Sequence, residues 1–300
     1  MNRVPQLPVA AFAVALSAVA VLSIMDAVMK HLVLAIGIVA VSIWRAIANL
    51  AISGALYLPR RGSWPSRQTL RIHIARGIVV TVMAFLFFWG IGRVHLAQAI
   101  ALTFIAPLLA LVLAWAFLGE TIGRLSVVGS ILAFGGVIVI VVGQAKASLG
   151  WDALLGTAAI LGSALTYAVN IVLMRHQAMA ARPFEINFFQ SLTIMVLWIA
   201  AMAVVGLPAF PSLQWPWVLV AAVLSTSGTL LFAWAYARGE AGYLAATEYS
   251  GFLWASVLGW EFFSERVTPF TLAGAVLIVG GCLLASRRKR AMLPEIDVAA

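Results

Sequence analysis

This chain repeats itself. Adding 145 to each number of Leu102–Glu120, LTFIAPLLALVLAWAFLGE, lands on Thr247–Glu265, TEYSGFLWASVLGWEFFSE, without a gap. Leu108, Ala110, Val112, Leu113, Trp115, Phe117 and Glu120 recur as the same residue, and the offset also pairs Arg93 with Arg238, Trp89 with Trp234, Phe87 with Phe232, Gly129 with Gly274 and His31 with His176. One uninterrupted offset over so much sequence means two copies of one folding unit, which constrains the architecture before any local propensity does. Trp151 and Asp152 open the second copy, so residues 1–148 form the first repeat and 149–300 the second, which ends in a basic tail.

With 64% hydrophobic and 10% charged residues among 300, the chain cannot cover a water-facing surface with polar groups. It reads as an integral membrane protein. The net charge of +9 does not imply nucleic acid, because the basic residues lie between apolar runs and in the tail, where cytoplasmic connections collect them. The single cysteine, Cys282, sits inside an apolar run and can form no internal disulfide. No cofactor and no cysteine metal site is expected. The apolar run after Arg3 is too long for a signal-peptide core and begins a series of similar runs, so it is expected to stay as the first helix.

Crossing the hydrocarbon core takes about 20 apolar residues per helix. Ten such runs are legible, at 8–30, 33–57, 72–91, 97–118, 122–143, 153–174, 184–206, 215–237, 243–262 and 268–286. The expected fold is therefore all-α, with ten transmembrane helices. Alternate connections differ in charge: fourteen Lys and Arg fall on one side, including Arg3, Arg60, Arg61, Arg67, Arg71, Arg76, Arg124, Arg175, Arg182, Arg238 and the tail. The other side holds four, Lys30, Arg93, Lys146 and Arg266. Both termini should face the cytoplasm. Because five helices is an odd number, the second repeat must run through the membrane in the opposite sense. Inverted repeats are the architecture of many secondary transporters, in which one half rocks against the other around a midplane site.

The five-helix repeat, Arg45-Ala46 within the second run, Pro107 in the fourth, Gly119-Glu120 closing it, and Gly129, Gly135 and Gly136 in the fifth together resemble the EamA-type families of the drug/metabolite transporter superfamily. The resemblance covers about residues 8–286 and implies a ten-helix inner-membrane carrier, often an exporter of amino acids or related metabolites. Some relatives instead import larger compounds such as S-adenosylmethionine or riboflavin, and His73 to Gly77 and Met25 to Lys30 lean toward that group. In the second repeat Gly251 and Phe252 replace Ala106 and Pro107, and Ser264 replaces Gly119, so the copies are not interchangeable.

Arg45 lies about 12 residues into the second run, about 18 Å along its axis, where an unpaired guanidinium costs at least about 2.5–3.5 kcal/mol. Ser42, Arg45, Asn49 and Ser53 share one helical face, and the offset carries Ser42 and Arg45 onto Asn187 and Gln190. Two such stripes predict a water-accessible central cavity. Arg45 either grips a carboxylate of the substrate, which its planar fork suits, or bonds helix-end carbonyls nearby. Glu248 and Asp26 should each lie about 10 Å from Arg45 in depth, on opposite sides. A carboxylate within the membrane can bind and release protons and so couple transport to a proton gradient; the alternative for both is an interfacial group in headgroup water.

Pro107 removes an N–H from the middle of the fourth run and frees the Thr103 carbonyl, which makes a hinge, a binding element or a fixed kink. Ser163, Tyr167 and Asn170 form a polar face on the sixth run, Tyr249 makes the start of the ninth polar, and Ser225–Thr229 form a small-residue patch that can also bond its own backbone. Trp89 and Trp234 read as interfacial anchors. Glu120 and Glu265 should hold the loops before the fifth and tenth runs, where Thr268 and Pro269 read as N-cap and first helical residue. The glycines of the fifth and tenth runs let backbones approach, within a monomer or between the monomers of a homodimer.

The four histidines His31, His73, His95 and His176 lie in or near connections, and no HExxH or GxSxG string occurs, so no catalytic apparatus is expected. A channel or lipid scramblase remains as an alternative class. The reading is a secondary carrier for a small metabolite, with lipid around it and a proton as candidate coupling ion.

Overall fold

In lipid every backbone N–H and C=O must be satisfied within the protein, which leaves helices as the natural form for runs this apolar. The computed structural model describes residues 8–60, 64–118, 124–146, 150–238, 244 and 247–286, and among these every regular element is helical. They are α1 (Pro8–Ile36), α2 (Ile38–Tyr57), α3 (Arg67–Ile91), α4 (Leu96–Thr103), α5 (Ala106–Leu118), α6 (Arg124–Lys146), α7 (Gly150–Ala180), α8 (Pro183–Val205), α9 (Trp215–Tyr236), α10 (Ser250–Phe263) and α11 (Pro269–Ser286). Six of them (α1, α2, α3, α7, α8 and α9) contain stretches long and apolar enough to cross a membrane. Shorter apolar helices cover Leu96–Ala110, Val127–Gly143 and Pro269–Leu284. Glu120 and the tail from Arg287 lie outside the described residues, as do the side chains of Arg175 and His176.

Three boundaries correct the sequence reading. First, α1 runs on to Ile36 and α2 starts at Ile38, with Gly37 alone between them at φ 78°. That left-handed angle suits glycine, which lacks the Cβ that would strain it. Second, α3 begins at Arg67, where Ser66 caps it by accepting a 3.2 Å hydrogen bond from the Thr69 N–H. Arg67 and Arg71 therefore belong to the helix and not to the connection, and Arg76 lies well inside it. Third, the fourth run is two helices. It breaks at Phe104–Ile105, and Pro107 follows as the second residue of α5 with an exposed ring. In a first turn the missing N–H leaves no bond unmade.

The same break recurs one repeat later, at Tyr249, although Phe252 stands where Pro107 does. Proline alone does not cause it. At both places hydroxyls back-bond: Thr103 donates to the Ile100 carbonyl, Thr247 to Leu244 and Ser250 to Thr247, at 2.6–2.7 Å. Such bonds compete with the helical ladder. The two breaks meet, because Phe104 and Tyr249, equivalent by the offset, contact edge to face at 5.2 Å.

The halves interlock around this point. The first helix of each repeat packs on the third of the other, α1 on α9 and α7 on α3. The last helices, α6 and α11, cross through their glycines. A Cβ at Gly136 would lie 2.6 Å from the Gly274 carbonyl oxygen, and one at Gly281 would collide with that of Gly129. The offset exchanges these two contacts, carrying 129 to 274 and 136 to 281, so a local two-fold axis passes between them. The glycine stripe thus serves packing within one chain.

Candidate functional site

With Gly37 as the hairpin turn, Asp26 lies ten residues before the end of α1 and Arg45 eight residues beyond the turn. At 1.5 Å per residue these are depths of about 15 Å and about 12 Å from the same end. The two charges are level, which corrects the expected separation of about 10 Å; the sequence reading ended the first helix near residue 30. Both side chains are half-buried, and each charge acts on the other. Yet they form no ion pair: among the described residues only Lys30–Glu265 and His73–Glu185 do. Arg45 Nε is buried without a hydrogen-bond partner, while its guanidinium carbon lies 5.2 Å from the centre of the Phe88 ring on α3. A buried donor left open is costly unless water or a ligand meets it.

Along the same face of α2, Ser42 is buried, and Asn49 Oδ1 accepts a 3.1 Å hydrogen bond from Ser225 Oγ on α9. The rest of the Ser225–Thr229 patch bonds its own helix, Ser227 to Val223 and Thr229 to Ser225. Asn187 and Gln190 are half-buried on α8. Gln190 lies about 10 Å from the start of α8, as Arg45 does from the start of α2, the equivalent position in the other repeat. Glu248 accepts a 2.7 Å hydrogen bond from the Tyr236 hydroxyl, and its charge also reaches Tyr167. Cys282 donates its thiol to the Phe104 carbonyl at 3.1 Å, and Tyr249 packs edge to face on the Phe104 ring.

The structure separates two residues from the Arg45 group. Asn170 accepts a 2.9 Å hydrogen bond from Arg76 Nε, and Ser163, on the same face of α7, donates to the Met83 carbonyl at 2.9 Å. Their job is to join α7 to α3. Arg76 also donates to Gln177, Gln177 meets His73 Nδ1, and His73 Nε2 meets Glu185 at 3.2 Å. His73 and Gln177 are fully buried. This network across α3, α7 and α8 goes beyond the sequence reading, in which Arg76 enters only as one of the basic residues that set the orientation. A signal existed: His73 and Arg76 are three residues apart, Asn170 and Gln177 seven, so each pair occupies one helix face. Repeat symmetry is visible again in Arg93 and Arg238, which stack on Trp89 and Trp234 with the guanidinium carbon 3.5 Å and 4.4 Å from the ring centre.

A second unanticipated site joins the repeats. Lys30, 4% exposed, pairs with Glu265 and donates to the Val94 carbonyl at 2.6 Å. The other Glu265 oxygen accepts the Leu96 N–H at 2.7 Å, capping α4 from the opposite repeat. Glu265 does hold a loop, and it does so across the molecule.

The model of the EamA-like transporter family matches residues 9–142 and again 154–287, two stretches themselves 145 apart. The chain belongs to the EamA-like transporter family. It is accordingly a multi-pass membrane transporter built as two repeats, with a small-molecule substrate and a lipid environment. Among similar proteins is the pseudopaline exporter CntI of Pseudomonas aeruginosa (strain UCBPP-PA14), 26% identical over 278 residues, covering 89% of this chain and 93% of that protein. The uncharacterized transporter YvbV of Bacillus subtilis (strain 168) is 27% identical over 241 residues, covering 78% and 77%. A crystal structure superposes with a TM-score of 0.60 at 19% identity, over 93% of this chain and 99% of its own, and supports the fold.

Proposed function

We propose that this EamA transporter exports a small metabolite carrying a carboxylate, an amino acid or an amino-acid-derived compound, across the cytoplasmic membrane by alternating access. The observation that carries the reading is the buried, unsatisfied Nε of half-buried Arg45, level with the unpaired carboxylate of Asp26. Two half-buried opposite charges that do not join each other suit a ligand that brings both signs. Arg45 takes its carboxylate in a planar fork, and Asp26 takes an ammonium group. Ser42, Asn49, Gln190 and Asn187 offer further polar contacts along the path, and Thr103 and Tyr249 stand beside the two helix breaks. The match to an exporter at 26% identity supports outward transport.

The membrane arrangement proposed with it has ten crossings, in inverted repeats 1–148 and 149–300, with both termini cytoplasmic. A single chain is the proposed unit, since the glycine stripe is already used between α6 and α11. Glu248, hydrogen-bonded by Tyr236, is the proposed proton-coupling group, and the break before Pro107 the proposed hinge.

Counterflow in proteoliposomes tests the reading. Liposomes preloaded with one unlabelled compound are given the same compound labelled, across amino acids, S-adenosylmethionine and riboflavin. Saturable, stereoselective exchange of amino acids is the expected result. Exchange of only the larger compounds would replace it with a metabolite permease, and unsaturable leakage of everything with a channel or scramblase.

A further inference from the structure

We infer that Lys30–Glu265 is the latch that closes the membrane face opposite the termini, and that it must part in each transport cycle. Lys30 lies in the last two turns of α1 and Glu265 in the link between α10 and α11. Counting helices from either terminus places both on the far face. The pair therefore sits where a path from the Arg45–Asp26 level would leave the protein, with Lys30 four residues beyond Asp26 along α1, about 6 Å nearer that face.

Three features distinguish a latch from a static staple. The first is connectivity. One carboxylate holds the Lys30 ammonium with one oxygen and the Leu96 amide with the other, while Lys30 also holds the Val94 carbonyl and lies 5.2 Å from the Phe263 ring centre. Every bond made by Glu265 in this set crosses from the second repeat to the first, so relative motion of the repeats must break them together. The second is chemistry. A buried ion pair is weak grounds for stability, because apolar residues of similar size often do as well. Charges are useful where the pair also spends time apart, since water then meets each partner. The third is local backbone. Ser264, just before Glu265, has φ 54°, and residues 264–268 form no helix. A small pocket lined by His95, Gln98, Ser256, Arg266 and Thr271 borders Glu265 there. Gln98 Nε2 is buried beside it without a partner, as befits a contact that is remade in a second arrangement.

The repeat offset carries Lys30 onto Arg175 and Glu265 onto Glu120, with each charge retained. Sequence alone thus assigns the opposite face a cation and an anion at the inverted positions; Glu120 lies outside the described residues.

The test needs no knowledge of the substrate. Cys282 is buried and bonded, so a cysteine placed at Asn49, about 18 Å from the far end of α2 and deeper than the latch, reports entry of a membrane-impermeant maleimide applied to spheroplasts from the far face. With the latch intact, labelling should be slow. Glu265→Gln and Lys30→Met should each speed it at least about tenfold, the scale of a lost hydrogen bond to a charged group. The exchange Lys30→Glu with Glu265→Lys should return it toward the slow rate. Unchanged labelling in both single variants, or an exchange variant as fast as they are, would overturn the latch. Hydrogen–deuterium exchange on the wild-type chain in nanodiscs covers variants that fail to insert. Residues 94–99 should exchange faster than the α6–α11 crossing, and equal protection of the two would also overturn it. Neither readout depends on Arg45 binding an anion.

Discussion

Alanine at Gly136 should destabilise the protein, whereas alanine at the neighbouring Gly135 should not. A Cβ on Gly136 would lie 2.6 Å from the Gly274 carbonyl oxygen and 3.0 Å from the Ile278 amide nitrogen. The first distance falls about 0.8 Å short of the 3.4 Å at which ordinary van der Waals contact begins. Both obstacles are backbone of α11 and cannot rotate away. The helices must move apart by most of that distance, loosening the symmetry-related contact between Gly281 and Gly129 as well. Overpacking of this kind costs about 1–3 kcal/mol. Nothing lies within 4 Å of a Cβ on Gly135, so there the substitution only adds helix propensity, up to about 1 kcal/mol. Fluorescence-detected size exclusion after heating measures both. Gly136→Ala should melt about 2–10 °C below wild type, and Gly135→Ala at or above it. Equal melting of Gly136→Ala and wild type, or an equal fall in both variants, would refute the close crossing.

Arg45→Ala should abolish saturable counterflow while inserting normally, since it removes an open donor and no structural bond; retained transport would remove Arg45 from the site. Arg76→Ala should lower thermal stability by about 1–3 kcal/mol for each acceptor left unpaired, Asn170 and Gln177, and a variant as stable as wild type would show that the α3–α7 network contributes nothing. Glu248→Gln should keep counterflow at equal pH on both sides but lose accumulation driven by a pH gradient, and an unchanged gradient response would move coupling elsewhere. Asp26→Asn should weaken exchange of compounds bearing an ammonium group at least about tenfold while sparing carboxylates without one, the scale of a charged hydrogen bond; an equal effect on both would leave Asp26 without a part in selection.

Much of the candidate site was legible because burying a charge in lipid is costly enough to mark it. Arg45 stands out in its run for that reason, and helical spacing gathers Ser42 and Asn49 beside it. Where a helix ends is much less legible. Extending α1 by six residues brought Asp26 level with Arg45, and starting α3 at Arg67 moved Arg67 and Arg71 from the connection into the helix. Hydropathy changes gradually at the ends of a run, whereas a capping serine or a single turn glycine sets the boundary sharply.

From sequence alone came everything that depends on chemistry along the chain: helical class from apolar runs, two copies from one offset, and close packing from glycines at matched positions. Only tertiary structure decided which polar groups meet. Lys30 finds Glu265 across 235 positions, Tyr249 meets Phe104, and Asn170 is claimed by Arg76 and so stands apart from the Arg45 group. Composition and periodicity assign a residue to a face of its own helix, but its partner depends on how the helices are rotated and crossed. Here those rotations follow from the interlocking of two repeats, in which each half supplies the contacts that the other needs.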